Sequence, residues 1–205
     1  MKRVLLVPGW TPHPKHIQTI TAMYQANGYT VDKVVFGFMS SVYIPSYKSI
    51  ELVKSFRRQG GQPLYDTAHV LSGGYWPFAS LVSYHKAVKV TRVVYDSSPV
   101  EPTHKFAEIA IRDAGYPFVS NVFAMVLDLH WRNNIDYLEN VTRDLNEITS
   151  TALIGDKDHI SPVASVRKLL PKAHIVTFMG ASHLRPLRTN PILYHDAIFG
   201  TTSKL

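Results

Sequence analysis

Short runs rich in β-branched and other apolar residues punctuate the chain at Arg3–Val7, Thr30–Phe36, Ala68–Leu71, Thr91–Tyr95, Ser150–Ile154 and Ala173–Phe178. Because these runs are largely continuous rather than alternating, they predict strands covered on both faces. Between them, Ile17–Asn27, Ile44–Arg58, Phe78–Lys86 and Pro162–Leu170 carry apolar residues at helical spacing. Strand and helix in alternation predict an α/β architecture, about six mainly parallel strands joined by right-handed crossovers and flanked by helices. Gly28 marks the end of the first helix, and Ser161-Pro162 the start of the fourth, with serine as the cap and proline in the first turn.

One stretch breaks this rhythm. Between Tyr95 and Ser150 no run reads as a strand, and residues 100–146 read as a helical insertion after the fourth strand. Such an insertion lies beside the carboxyl ends of the strands, where it is either a cap over a site or extra helices packed on a sheet face. No repeat, low-complexity tract or linker divides the chain, so residues 1–205 read as a single domain.

Composition narrows the chemistry. There is no cysteine, which excludes disulfides, thiolate metal sites and a cysteine nucleophile. The basic, apolar opening Met1 to Val7 ends at Pro8-Gly9, too early for the ~7–15-residue apolar core of a signal peptide. The apolar-rich stretch Phe118–Trp131 is broken by Asn121 and Asp128 and falls short of the ~20 residues that span a bilayer. A soluble, cytoplasmic or otherwise intracellular protein is the expectation. The formal charge of +7 comes from scattered lysines and arginines with only small clusters such as Lys54-Ser55-Phe56-Arg57-Arg58. That charge permits peripheral contact with anionic lipid but carries no nucleic-acid-binding signature.

The chemistry sits where strands end. The third strand runs into His69-Val70-Leu71-Ser72-Gly73-Gly74, followed by a helical segment. A nucleophilic serine on a sharp strand-to-helix turn needs small neighbours, because the two backbones approach closely there. Gly73 and Gly74 supply that room, whereas Val70 stands where the usual pattern has a glycine; a glycine turn with a capping serine would use the same residues. The fifth strand ends in Gly155-Asp156-Lys157-Asp158, and the last leads into Gly180-Ala181-Ser182-His183. Asp158 is the favoured carboxylate to orient the His183 imidazole, and His183 the base that serves Ser72. The first strand ends in Pro8-Gly9-Trp10, so the backbone N–H groups of Trp10 and Gly73 are the expected oxyanion donors.

Serine, aspartate and histidine in this order, each just after a strand, resemble the α/β-hydrolase superfamily. Val7-Pro8-Gly9-Trp10, His69 to Gly74, Tyr95-Asp96-Ser97-Ser98-Pro99, and Ser182-His183-Leu184-Arg185 with Asn190-Pro191 and Tyr194 more closely resemble the transmembrane protein 53 family of hydrolase-like proteins. The resemblance implies a compact α/β-hydrolase fold and, less directly, hydrolase activity. It also brings Asp96 forward as the alternative acid, since some hydrolases take the carboxylate from the strand after the serine's helix. The expected function is serine-dependent cleavage of a small-molecule ester or thioester through an acyl-enzyme, with no metal or organic cofactor required. The rival expectation is a hydrolase-fold binding or scaffolding protein with weak or no catalysis, which Val70 favours. Phe118, Val122, Phe123, Met125, Val126 and Trp131 either line an acyl pocket or pack as the core of a helix.

Overall fold

The computed structural model describes residues 1–9, 13–36, 62–99, 101, 103–113, 118 and 120–200. Strand β1 (Lys2–Val7) is followed by helix α1 (Pro14–Ala26), β2 (Tyr29–Lys33) and β3 (Leu64–Leu71). A 3-10 turn (Ser72–Gly74) leads directly into α2 (Tyr75–Ala79) and a π turn (Ser80–Tyr84), then β4 (Lys89–Asp96). Helices α3 (His104–Asp113), α4 (Ser120–Arg132) and α5 (Ile135–Asn146) separate β4 from β5 (Thr149–Gly155). The chain continues through α6 (Val163–Leu169), β6 (His174–Phe178), α7 (Pro186–Thr189) and α8 (Pro191–Phe199).

The six strands form one sheet in the order β2-β1-β3-β4-β5-β6, and every neighbouring pair is parallel. The order reverses at β1 and β3, the place where the two halves of such a sheet leave a crevice at their carboxyl ends. Strand alternation sorts the apolar runs onto two faces. Leu5, Val7, Ala68, Val70, Val93, Tyr95, Ala152 and Ile154 pack on one side with Tyr75, Trp76 and Phe78 of α2. Val4, Leu6, Leu71, Val94 and Leu153 pack on the other with Ile17, Ile20 and Tyr24 of α1 and Tyr194 and Ile198 of α8. Continuous apolar strands are therefore required: both faces are dry, and Val4 through Val7 are all fully buried.

Several local readings change. β2 stops at Lys33, three residues before the predicted end; Val34 still donates to the Leu6 carbonyl at 3.0 Å, and Phe36 is buried beyond the strand. The helix predicted over Phe78–Lys86 begins at Tyr75, with Pro77 in its first turn, where its missing N–H costs nothing. Ser161 does not cap α6. Pro162 takes the cap position without a side-chain bond, and the Ser161 hydroxyl donates to the Pro99 carbonyl. The helix predicted over Ile44–Arg58 lies outside the described residues.

Among the residues singled out between β4 and β5, only Trp131 is core, packed with Ala124 and Leu127 of α4. Phe118, Val122, Phe123, Met125 and Val126 are all more than half exposed, so the helix-core reading fails for them. Among the described residues, no helix is long and apolar enough to cross a membrane.

Candidate active site

Ser72 immediately follows β3, one of the two central strands of the sheet, with φ +47. A non-glycine residue in this left-handed region costs about 1–3 kcal/mol and persists only where its surroundings impose it. Two glycines do so here. A Cβ on Gly74 would stand 2.6 Å from the Val7 carbonyl oxygen and 3.1 Å from that of Pro8, so the turn after Ser72 lies directly against the end of β1. A Cβ on Gly9 would stand 3.3 Å from the Leu71 oxygen and 3.4 Å from the Gly73 nitrogen. The closest approach therefore falls after the serine, at Gly74, and Val70 is accommodated in the core on the α2 face.

His183 reaches this serine from the loop after β6. Its Nε2 lies 2.7 Å from Ser72 Oγ, and its Nδ1 lies 2.9 Å and 3.0 Å from the two Asp158 oxygens. An ionised carboxylate can only accept, so Nδ1 carries the proton and Nε2 presents its lone pair to the serine hydroxyl. The Asp158 side chain is fully buried and that of His183 is 18 % exposed, so the pair is largely shielded from solvent. Asp158 is itself held: Oδ1 accepts from the Ile160 and Ser161 backbone N–H groups at 2.9 Å and 2.8 Å.

Loop packing explains how the histidine arrives there. Gly155, the last residue of β5, leaves no room for a side chain, because a Cβ would stand 2.1 Å from the Ala181 carbonyl oxygen. That oxygen accepts the Lys157 N–H at 3.0 Å. Asp156 turns away from the imidazole and accepts the Gly180 N–H at 2.6 Å. The loops after β5 and β6 are thus stitched together just before the residues Asp158 and His183 that they carry.

Asp96 does not meet His183. Fully buried at the end of β4, it accepts the Tyr194 hydroxyl at 2.6 Å, with His16 Nε2 at 3.5 Å. His69 lies between Tyr24 (3.0 Å to Nδ1) and Tyr194 (3.2 Å to Nε2). Since Tyr194 gives its proton to Asp96, it accepts from His69 Nε2–H, and Tyr24 donates to Nδ1. Burial pushes the His69 pKa down to about 4, so the ring is neutral and this tautomer is the stable one. Burial alone would raise the Asp96 carboxyl, but His16, His69 and the Tyr194 hydroxyl outweigh it and hold the pKa below the usual carboxylate value.

Of the expected oxyanion donors, Gly73 is buried within the turn after Ser72, with Gly9 packed beside it. Trp10 lies outside the described residues. Sequence reasoning passed over His16 and His69, and gave Gly9 and Gly155 no packing role. A histidine inside the otherwise apolar run Ala68–Leu71 was the available signal for the buried network; nothing local distinguished Gly155 from an ordinary turn glycine.

No family model and no curated protein matches the chain. Solved structures do. An esterase of Pyrococcus furiosus superposes with a TM-score of 0.63 at 18% identity, covering 96% of this chain and 79% of its own. A bromoperoxidase from Bacillus anthracis gives 0.62 at 14% identity, over 96% and 90% of the two chains. An alpha/beta hydrolase enzyme from the metagenome of lagoon sediments at Mar Chica, Morocco, gives 0.60 at 18% identity, over 94% and 89%. At these identities the likeness is one of fold: the chain has the α/β-hydrolase fold, six parallel strands flanked by helices. Nothing in these matches favours the narrower resemblance to the transmembrane protein 53 family.

Proposed function

We propose that this chain is a serine hydrolase that cleaves a small-molecule carboxylic ester or thioester through an acyl-enzyme. The observation that carries the reading is the continuous chain from Ser72 Oγ through His183 Nε2 and Nδ1 to Asp158, every link 3.0 Å or shorter, on a serine with φ +47. Solved neighbours described as esterases add support from the fold.

In this reading His183 Nε2 takes the Ser72 proton as Oγ attacks the acyl carbon. The carbonyl oxygen becomes an anion held by backbone N–H groups, with Gly73 and Trp10 as the proposed donors. The imidazolium formed is stabilised by buried Asp158, which keeps its charge and its grip on Nδ1–H. His183 then returns the proton to the departing alkoxide or thiolate. Water, activated by the same nitrogen, attacks the acyl-serine and releases the acid. The protein groups needed are all amino-acid side chains and backbone amides, and the whole chain, residues 1–205, is proposed to act as one domain with residues 100–146 as a helical insertion.

A panel of p-nitrophenyl esters and acyl thioesters of increasing chain length tests the reading. Turnover is expected for at least one chain length and should be lost in His183→Ala. A silent panel from folded protein would instead support the binding-protein alternative.

A further inference from the structure

The two serines after β4 touch both halves of the proposed machinery. Ser98 Oγ donates to the carbonyl oxygen of Ser72 at 3.0 Å. Ser97 Oγ accepts the N–H of Leu184, the residue after His183, at 2.9 Å. Both serines are fully buried, so these bonds are shielded from water. The Ser97 backbone is fixed as well, with φ +50 and its N–H on the Leu153 carbonyl at 3.0 Å.

The direction of the Ser97 hydroxyl has its own cause. Its proton faces Asp96 Oδ1 at 3.3 Å, which leaves a lone pair for Leu184 N–H. Asp96 is in turn held by Tyr194. The buried carboxylate that lies off the Ser72–His183–Asp158 chain therefore orients a hydroxyl that grips the histidine loop. Leu184 has φ +56, an uncommon conformation for a leucine that this bond helps maintain.

We propose that Ser97 and Ser98 are positioning residues that hold His183 and Ser72 in register with each other, one hydroxyl on each side, with the Ser97 hydroxyl anchored by Asp96. The inference rests on the serine-hydrolase reading. It adds a role for the segment between β4 and α3 that neither fold nor reaction class requires: two loops from opposite sides of β4 are tied to a single dipeptide.

The test uses the full chain and separates hydroxyl from backbone. Ser97→Gly removes the hydroxyl and relieves the Cβ strain of φ +50, whereas Ser97→Ala removes the hydroxyl and keeps that strain. With a fluorophosphonate probe and a p-nitrophenyl ester, both variants and Ser98→Ala should lose about 10- to 100-fold in kcat and labelling rate, with KM within about twofold, as expected for misplaced reacting groups. Ser97→Gly should melt above Ser97→Ala yet be as slow. The inference is overturned if Ser97→Gly and Ser98→Ala keep wild-type kcat, or if rate simply follows melting temperature so that glycine restores what alanine loses. A folded wild type that neither labels nor turns over removes the hydrolase reading and this inference together; a reactive wild type with unchanged variants removes this inference alone.

Discussion

Adding one methyl group at Gly155 should disarm the site from a distance. The position does not need glycine for its backbone angles; it needs glycine because a Cβ would sit 2.1 Å from the Ala181 carbonyl oxygen and 2.7 Å from its carbon. That is 0.9 Å inside the 3.0 Å that real Cβ contacts respect. The obstacle is backbone, so the loop after β6 must retreat by about 1 Å, stretching the Lys157-to-Ala181 hydrogen bond and carrying His183, two residues on. A misplacement of about 1 Å between reacting groups costs about 100-fold in rate. The overpacking itself costs about 1–3 kcal/mol, and a melting temperature falls by about 2–4 °C per kcal/mol in a domain of this size. Gly155→Ala should therefore remain folded at 25 °C, melt several degrees lower, and react with a fluorophosphonate about 100-fold more slowly. Wild-type labelling at the wild-type melting temperature would refute the claim that this contact sets the histidine's position.

Other perturbations probe separate parts of the account. Asp158→Asn keeps an oxygen for the Ile160 and Ser161 N–H groups but offers His183 an amide donor, favouring the wrong tautomer; esterase kcat should fall by about 10⁴-fold with little unfolding. Conversely, a variant that retains a tenth of wild-type kcat would argue against Asp158 as the orienting acid. His69, with its pKa lowered from 6.5 to about 4, binds its proton more readily unfolded than folded. Its contribution is complete above pH 6.5 and is lost as pH falls through 4, so urea unfolding should show about 3 kcal/mol less stability across that window. Asp96, also lowered, acts in the same direction at still lower pH; a His69 ring that titrates near 6.5 by NMR would contradict the buried network. Gly28→Ala, at φ +78 with no atom within 4 Å of the added Cβ, should cost about 1–2 kcal/mol in denaturant titrations and leave labelling untouched.

The sheet was legible because burial on both faces leaves an unambiguous mark: Val4 to Val7 and Ala152 to Ile154 are apolar at every position, and each lies inside an observed strand. Loop-borne residues were legible by a different rule, since Ser72, Asp158 and His183 each follow a strand end, and parallel strands deliver their carboxyl ends to one edge. What stayed hidden depends on three-dimensional juxtaposition. Ser161 carried a good capping signal, yet its hydroxyl is taken by Pro99, a residue sixty-two positions away, and no local pattern encodes that competition. Val70 looked like a defect in the serine turn until the contact with β1 placed the tight approach at Gly74. The apolar residues Val122, Phe123, Met125 and Val126 read as pocket or core, but the buried face of α4 is formed by Ser120, Ala124, Leu127 and Trp131. With four residues of that face spaced at helical intervals, the remaining positions must point outward whatever their polarity.

The central claim is that Ser72 is an activated nucleophile, and the most direct measurement is fluorophosphonate labelling of the full chain followed by peptide mass spectrometry, alongside Ser72→Ala and His183→Ala. The account predicts one labelled residue, Ser72, with labelling abolished in the first variant and slowed by at least about 10³-fold in the second. Absent labelling in folded wild-type protein, or labelling that persists in Ser72→Ala, would contradict it.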